Sequence, residues 1–199
     1  MRDLDQSLLR LTQCCLAVAL LLATSCTSAP TRFYVLTPLQ VGAAIDGADG
    51  LSLGVEPLRL PALLDRPNIV TRVDDNERQL AEFARWAEPL DENMTRVLAE
   101  NLSALLGTEQ VVRLPSVRPV RTDRKLAVNV LRFDATPGEV AVLEVRWRLF
   151  DSVTGVLQFT HHESYVTELA GSDHSAAVVA MSESLAALSR AVAAELGQG

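Results

Sequence analysis

Three carboxylates, Glu88, Asp91 and Glu92, crowd the stretch RWAEPLDENMTRVLAENL, residues 85–102, beside Trp86 and Arg96. Carboxylates this close can act as a general acid and base, provided their surroundings push their ionisation apart. The same residues also have a structural reason to be there. Pro89 lacks an N–H and keeps Glu88 out of the helical region. Asp91 is then placed to cap a helix, and Glu92 falls in its first turn, where the helix dipole favours negative charge. The other chemistry-bearing types assemble no better. His161 and His162 are adjacent on a predicted strand, so their rings point to opposite faces and cannot readily share a metal. No HExxH or HxH accompanies them, and His174 stands apart. Ser164 lacks the GxSxG elbow of a nucleophilic serine. Gly42, Gly47 and Gly50 do not fit a phosphate-binding GxGxxG and lead into a strand instead of a helix. Trp86 and Trp147 read as core or interface residues. The expectation is a non-enzyme, with no catalytic residue, metal or cofactor.

The elements that would position these residues follow from periodicity. FYVLTP, 33–38, reads as a first strand ended by Pro38, and LQVGAAIDGADG as a loop. LSLGVEPLRLP places Leu51, Leu53 and Val55 on one face, while Pro57 and Pro61 confine its remainder to an edge or bulge. NIVTRV and RQLAEF flank the turn Asp74–Glu77 as a β-hairpin, because Asp and Asn side chains bond nearby backbone. Met94, Val97, Leu98, Leu102 and Leu105 give one apolar face to a helix over 91–106, closed by Gly107. VVRLP, 111–115, is a short strand or connector. KLAVNVLRFDA, EVAVLEVRWRLFD and VLQFTHHESYVTEL are three strands joined by turns, an antiparallel meander. In the second, Ala141, Leu143, Val145, Trp147 and Leu149 share a face. Val178, Met181, Leu185, Leu188 and Val192 then mark a long amphipathic helix capped by Ser172 or Asp173. The predicted fold class is α/β: a single domain with a mixed, largely antiparallel sheet and two main helices.

The 199-residue chain is 48% hydrophobic and 22% charged, enough to build a core. Its net charge of −7 and 5% aromatic content argue against a nucleic-acid partner. The apolar run from Cys14 to Ala23 suits a signal peptide and is too short to span a bilayer. It ends in LATSC, with small Thr24 and Ser25 before Cys26, which resembles the lipobox of bacterial lipoproteins. The n-region departs from the usual pattern by carrying Asp3 and Asp5 beside Arg2 and Arg10, and Ala23 stands where the family usually has Leu. The resemblance implies cleavage after Ser25 and acylation of Cys26; the alternative is an ordinary secretory signal with a nearby cleavage site. Residues 1–25 are then a signal peptide, 26–32 a tether and 33–197 the domain. The mature chain would hold no further cysteine, and Thr27 after the Cys favours, by the same resemblance, the outer membrane. Several acyl chains would make the anchor stable.

Three longer segments carry a second resemblance. LRLPALLDRPNIVTR, LAEFARWAEPLDENMTRVLAENLSALLGT and VNVLRFDATPGEVAVLEVRWRLFD, together with the opening CTSAPTRFYVLTP, resemble the PqiC/YmbA family. These are ABC-type transport auxiliary lipoproteins of Gram-negative bacteria, and the similarity covers residues 26–196. The resemblance implies an α/β domain facing the periplasm, anchored through Cys26. Its partners would be an MCE-domain protein and integral-membrane transporter subunits in a lipid-transport or membrane-integrity system. A homo-oligomeric ring is implied as well, and no catalytic residue carries over.

A docking module needs surface for its partners, and LLDRPNIVTR supplies a candidate: Leu63, Leu64, Pro67 and Ile69 around a bend, with Arg66 and Arg72. Equally, Leu63 and Ile69 could be core and the arginines simply solvated. Two other function classes remain open on sequence alone. A free-standing periplasmic ligand-binding lipoprotein would have a sizeable apolar cavity, and a secreted hydrolase would have a pocket of convergent, shifted titratable groups.

Overall fold

Three strands of twelve residues each dominate a computed structural model of the chain, which describes residues 29–40, 50–116 and 120–197. They are β6 (Arg124–Ala135), β7 (Val140–Asp151) and β8 (Leu157–Glu168), paired antiparallel in sequence order as the expected meander. Alternation sets their faces. Ala141, Leu143, Val145, Trp147 and Leu149 of β7 are all buried, while Glu144, Arg146 and Arg148 look out from the other face.

The second edge of β6 is served by the chain in instalments. β2 (Leu53–Val55) runs parallel to Arg124–Leu126, Arg59 bridges Asn129, and Thr71 of β3 (Asn68–Arg72) pairs with Ala135. The cause is visible in the sequence: Pro57 and Pro61 have no N–H to give, so one continuous strand is not possible there. β4 (Arg78–Trp86) pairs antiparallel with β3, forming the expected hairpin, with a bulge between Asn68 and Val70. β1 (Arg32–Tyr34) adds to β4 in parallel, and β5 (Val111–Arg113) adds to β2 in parallel. The result is one mixed eight-stranded sheet among the described residues. With its two helices it makes a single α/β domain. Most of the loop expected over 39–50 lies outside the described residues.

Helix α1 (Leu90–Leu106) and helix α2 (His174–Leu196) pack on each other and over one side of the sheet. The five apolar residues expected on each buried face are buried. Although α2 is long and apolar enough to cross a membrane, those residues are spent on the core. Gly107 closes α1 at φ 62°, a left-handed conformation that glycine adopts without steric cost, and its N–H reaches the Ser103 carbonyl. Asp173 caps α2, its Oδ1 accepting from the Ala176 N–H at 2.8 Å. At the start of α1 the structure corrects the sequence reading. Pro89, at φ −51° and ψ 132°, takes the cap position, and the helix begins at Leu90 without a side-chain cap. Asp91 therefore lies in the first turn with Glu92, where the dipole still rewards its charge.

One buried feature escapes any apolar pattern. Residues 36–39 run beside both helices without joining the sheet, and their N–H groups are met by helix side chains. Leu36 N donates to Asn93 Oδ1 at 3.0 Å, Thr37 N to Ser182 Oγ at 3.2 Å, and Leu39 N to Asn101 Oδ1 at 2.7 Å. Pro38 has no N–H to satisfy.

Three turns are built on aspartates. Asp74 is held below the ordinary carboxylate range chiefly by the Asn76 N–H, Asp123 by the Ser52 hydroxyl, and Asp151 by the Thr154 N–H. A depressed native value stabilises the fold above the unfolded pKa of about 4, and that stabilisation is lost as pH falls through the native values. Melting temperature should therefore drop on acidification below about pH 4. The D74N/D123N/D151N triple variant, followed by circular dichroism, should show a shallower dependence.

Candidate functional site

Of the residues most suggestive of catalysis, Glu88, His161 and His162 are engaged by their neighbours. Glu88 Oε1 accepts from Arg96 Nη2 at 2.8 Å and from Asn93 Nδ2, and so joins the start of α1 to its second turn. The histidines diverge as strand alternation requires. His162 Nε2 lies 2.8 Å from Glu144 Oε1 on the open face of the sheet. His161, on the helix side, stacks on Trp147 with ring centroids 4.3 Å apart and 15° between planes. Its nitrogens lie 3.8 Å from Glu163 and 3.6 Å from Glu195 of α2. Tyr165 donates to Glu163, and burial together with that bond pushes its phenol well above the usual range. This group ties β8 to α2 along a sheet border that continues through the Thr167–Ser184 hydroxyl pair at 2.9 Å. Both tryptophans, Trp86 and Trp147, are core residues.

Among the described residues no three His, Cys, Asp or Glu side chains come together as a metal site. A cavity of about 510 Å³ lies between the first turn of α1 and the end of β5, lined by Asp91, Glu92, Val112 and Leu114 among others.

The segment LLDRPNIVTR forms a turn that folds over the open face of the sheet and then enters β3. Its residues divide. Leu63 and Pro67 are exposed, Leu64 is buried at 4% exposure, and Ile69 is in the core. Arg66 is half-buried, with its Nε out of contact with water and without a hydrogen-bond acceptor. Arg72 turns inward, where its Nε lies 3.6 Å from Asp134 Oδ2. Leu63, Leu64 and Arg72 thus line one cavity of about 250 Å³, closed on the far side by Arg78, Arg132 and Asp134. Cys26 lies outside the described residues.

The sequence reading reached Arg72 but not its companions. A signal was present once the hairpin was accepted: Arg72 and Arg78 stand directly opposite each other in the register. Like charges in that relation repel, so a counter-anion was to be expected. It comes from β6. A bulge between Val130 and Arg132 shifts the alternation, leaving Leu131 exposed and bringing Arg132 and Asp134 onto the open face together.

Comparison with known proteins bears on the fold and the family. The family model for the ABC-type transport auxiliary lipoprotein component matches residues 34–193. A crystal structure of an uncharacterized protein is similar at 22% identity and TM-score 0.70, covering 84% of this chain and 99% of the other. One of a Xanthomonas campestris protein is similar at 19% identity and TM-score 0.71, covering 84% and 94%. At these identities the likeness speaks for the fold. No match to a curated protein was found.

Proposed function

Because the chain belongs to the ABC-type transport auxiliary lipoprotein family, we propose that it is a non-enzymatic subunit of an MCE-type intermembrane lipid-transport or membrane-integrity system. The observation that carries this reading is the family match, which spans 160 of 199 residues (34 to 193) and begins two residues after the end of the expected tether at 32. The domain faces the periplasm and hangs from the inner leaflet of the outer membrane by lipid on Cys26, after removal of residues 1–25. From Cys26 to the start of β1 at Arg32 is a span of six residues. At roughly 3.3–3.6 Å per residue, the domain stays within about 20 Å of its anchor. So short a tether suits a module that presents a fixed face to a membrane-spanning partner. The exposed Leu63 and Pro67, with Arg66 between them, are the proposed contact for an MCE-domain protein or a second copy of the chain. The working form is a homo-oligomer, with permease subunits supplying energy and lipid capture.

Two measurements test this. Cys26→Ala should move the protein from the membrane fraction into the soluble periplasmic fraction; a variant that stays membrane-bound sinks the acylation claim. Affinity purification of the intact lipoprotein from gently solubilised envelopes should bring down an MCE-domain protein, and its repeated absence after cross-linking would refute the transport role.

A further inference from the structure

We infer that the cavity under the 61–64 turn is an anion site that takes the phosphate ester of an amphiphile. Three guanidinium groups converge there on one buried carboxylate. Arg132 Nε lies 2.8 Å from Asp134 Oδ1, Arg78 Nε 3.2 Å and Arg72 Nε 3.6 Å from Asp134 Oδ2. One charge cannot balance three. Asp75, which reaches Arg72 at 3.2 Å, has a fully exposed side chain, where solvent and salt screen its contribution. Glu144, also in the lining, is bound to His162.

Donor accounting gives the same answer as charge. Arg72 Nη1 donates to the Asp74 carbonyl and to Asp75, and Arg78 Nη1 to the carbonyls of Asp74 and Glu77. Among the described residues no acceptor meets Nη2 of Arg72, Nη2 of Arg78, or either Nη of Arg132. Arg72 Nε is buried and has no hydrogen-bond acceptor, its nearest carboxylate oxygen lying just too far away. Arginines are the residues of choice for planar, multi-point recognition of phosphate, and the free nitrogens here belong to three of them. A phosphate, with several acceptor oxygens on one centre, answers this arrangement better than a single carboxylate. The charge is set apart from the rest of a chain whose net charge is −7, so attraction is local to the cavity.

The remainder of the lining is apolar. Pro61, Leu63, Leu64 and Leu131 border the arginines, and Leu63 and Leu131 stand partly in solvent. About 250 Å³ holds a headgroup and leaves acyl chains to lie outward against that rim. The phosphate chemistry rests on the cavity alone, whereas a phospholipid as its source rests on the transport reading above.

Isothermal titration of the full mature lipoprotein in neutral detergent tests both parts, with inorganic phosphate, dihexanoyl-phosphatidate below its micellar concentration, and a glutamate-rich peptide as probes. The short-chain lipid should bind, and Arg132→Gln should weaken it about tenfold or more by removing charge-assisted bonds. Arg146→Gln, on the same sheet face but outside the cavity, should leave binding unchanged within about twofold. In the unaltered protein, mass spectrometry of phenylglyoxal adducts should show Arg132 protected by the lipid, which decides the matter even if the variant fails to fold. Lipid and inorganic phosphate bound equally well would overturn the amphiphile and leave a plain phosphate site. Equal binding of the acidic peptide would overturn the phosphate assignment. No lipid binding, or no protection of Arg132, would overturn the site altogether, while membrane release by Cys26→Ala and capture of an MCE-domain partner would still stand.

Discussion

Asp134→Ala should lower the unfolding free energy by about 3 kcal/mol, the lower end of the range for removing one partner of a buried ion pair. The carboxylate is 6% exposed, and the three guanidinium groups around it are 16–27% exposed, so water can relieve only part of the loss. The variant leaves Arg72, Arg78 and Arg132 facing one another with only the fully exposed Asp75, at Arg72, as a counter-charge, and the β3–β4 hairpin loses its side-chain tie to β6 while keeping the Thr71–Ala135 pairing. Asp134→Asn keeps the volume and one acceptor oxygen and should cost less. Urea unfolding followed by tryptophan fluorescence reads both, since Trp86 ends β4 and Trp147 lies in β7. Raised ionic strength should return part of the Ala variant's stability by screening the three cations. Phosphate should return more than chloride at equal ionic strength, because it can occupy the place of the lost carboxylate. A variant as stable as the parent would mean that the arginines are effectively solvated and that Asp134 does not organise them.

Where pattern and backbone chemistry agreed, the sequence was legible. The meander, both helices and the 74–77 turn followed from period-2 and period-3.6 spacing with proline, glycine and aspartate at their ends. The stepwise parallel pairing of residues 53–72 along β6 was not legible. Pro57 and Pro61 say where a strand must break, but not which distant strand the pieces will share. The cap of α1 departs from the sequence expectation for a local reason: Asp91 and Pro89 both suit a helix start, and with Pro89 at the cap the helix begins one residue earlier. The candidate site was half legible. LLDRPNIVTR is the wall of a cavity, but its charge logic depends on Arg132 and Asp134, some 60 residues away in the chain (132 − 72). Only a bulge that sequence does not announce brings those two onto the right face. Asn93 and Asn101 were invisible for a different reason. They are fully buried polar residues within an apolar helix pattern, and what they serve is the backbone of a segment over 50 residues upstream.

That last pairing leads to the second large effect. Asn93→Leu should cost about 2–3 kcal/mol, because the Leu36 N–H and the Glu88 carboxylate each lose a buried partner while the new side chain adds volume to a packed site. Asn101→Leu should cost about as much through the Leu39 N–H and Ser189, whose Oγ lies 3.0 Å from Asn101 Nδ2. The two asparagines sit eight positions apart on α1, about 12 Å along its axis, so their costs should nearly add. The structural consequence is specific. β1 is only three residues long, and the segment after it relies on helix side chains instead of sheet partners. Weakening those contacts should release residues 32–39 before the rest of the domain unfolds. Hydrogen exchange at Leu36, Thr37 and Leu39 should accelerate at least tenfold in either single variant, the change that about 1.4 kcal/mol produces, while β7 amides keep their protection. If the whole domain exchanged in step, the segment would be an integral part of the core and not a separable strap. In a lipid-anchored protein the difference matters for reach. Freeing eight more residues (32 to 39) beyond a six-residue tether would more than double its span, at roughly 3.3–3.6 Å per residue. If the chain is anchored at Cys26 as proposed, the double variant, still folded over β6–β8, should then cross-link less efficiently to the proposed membrane-spanning partner, because the proposed docking face would no longer be held at a fixed height.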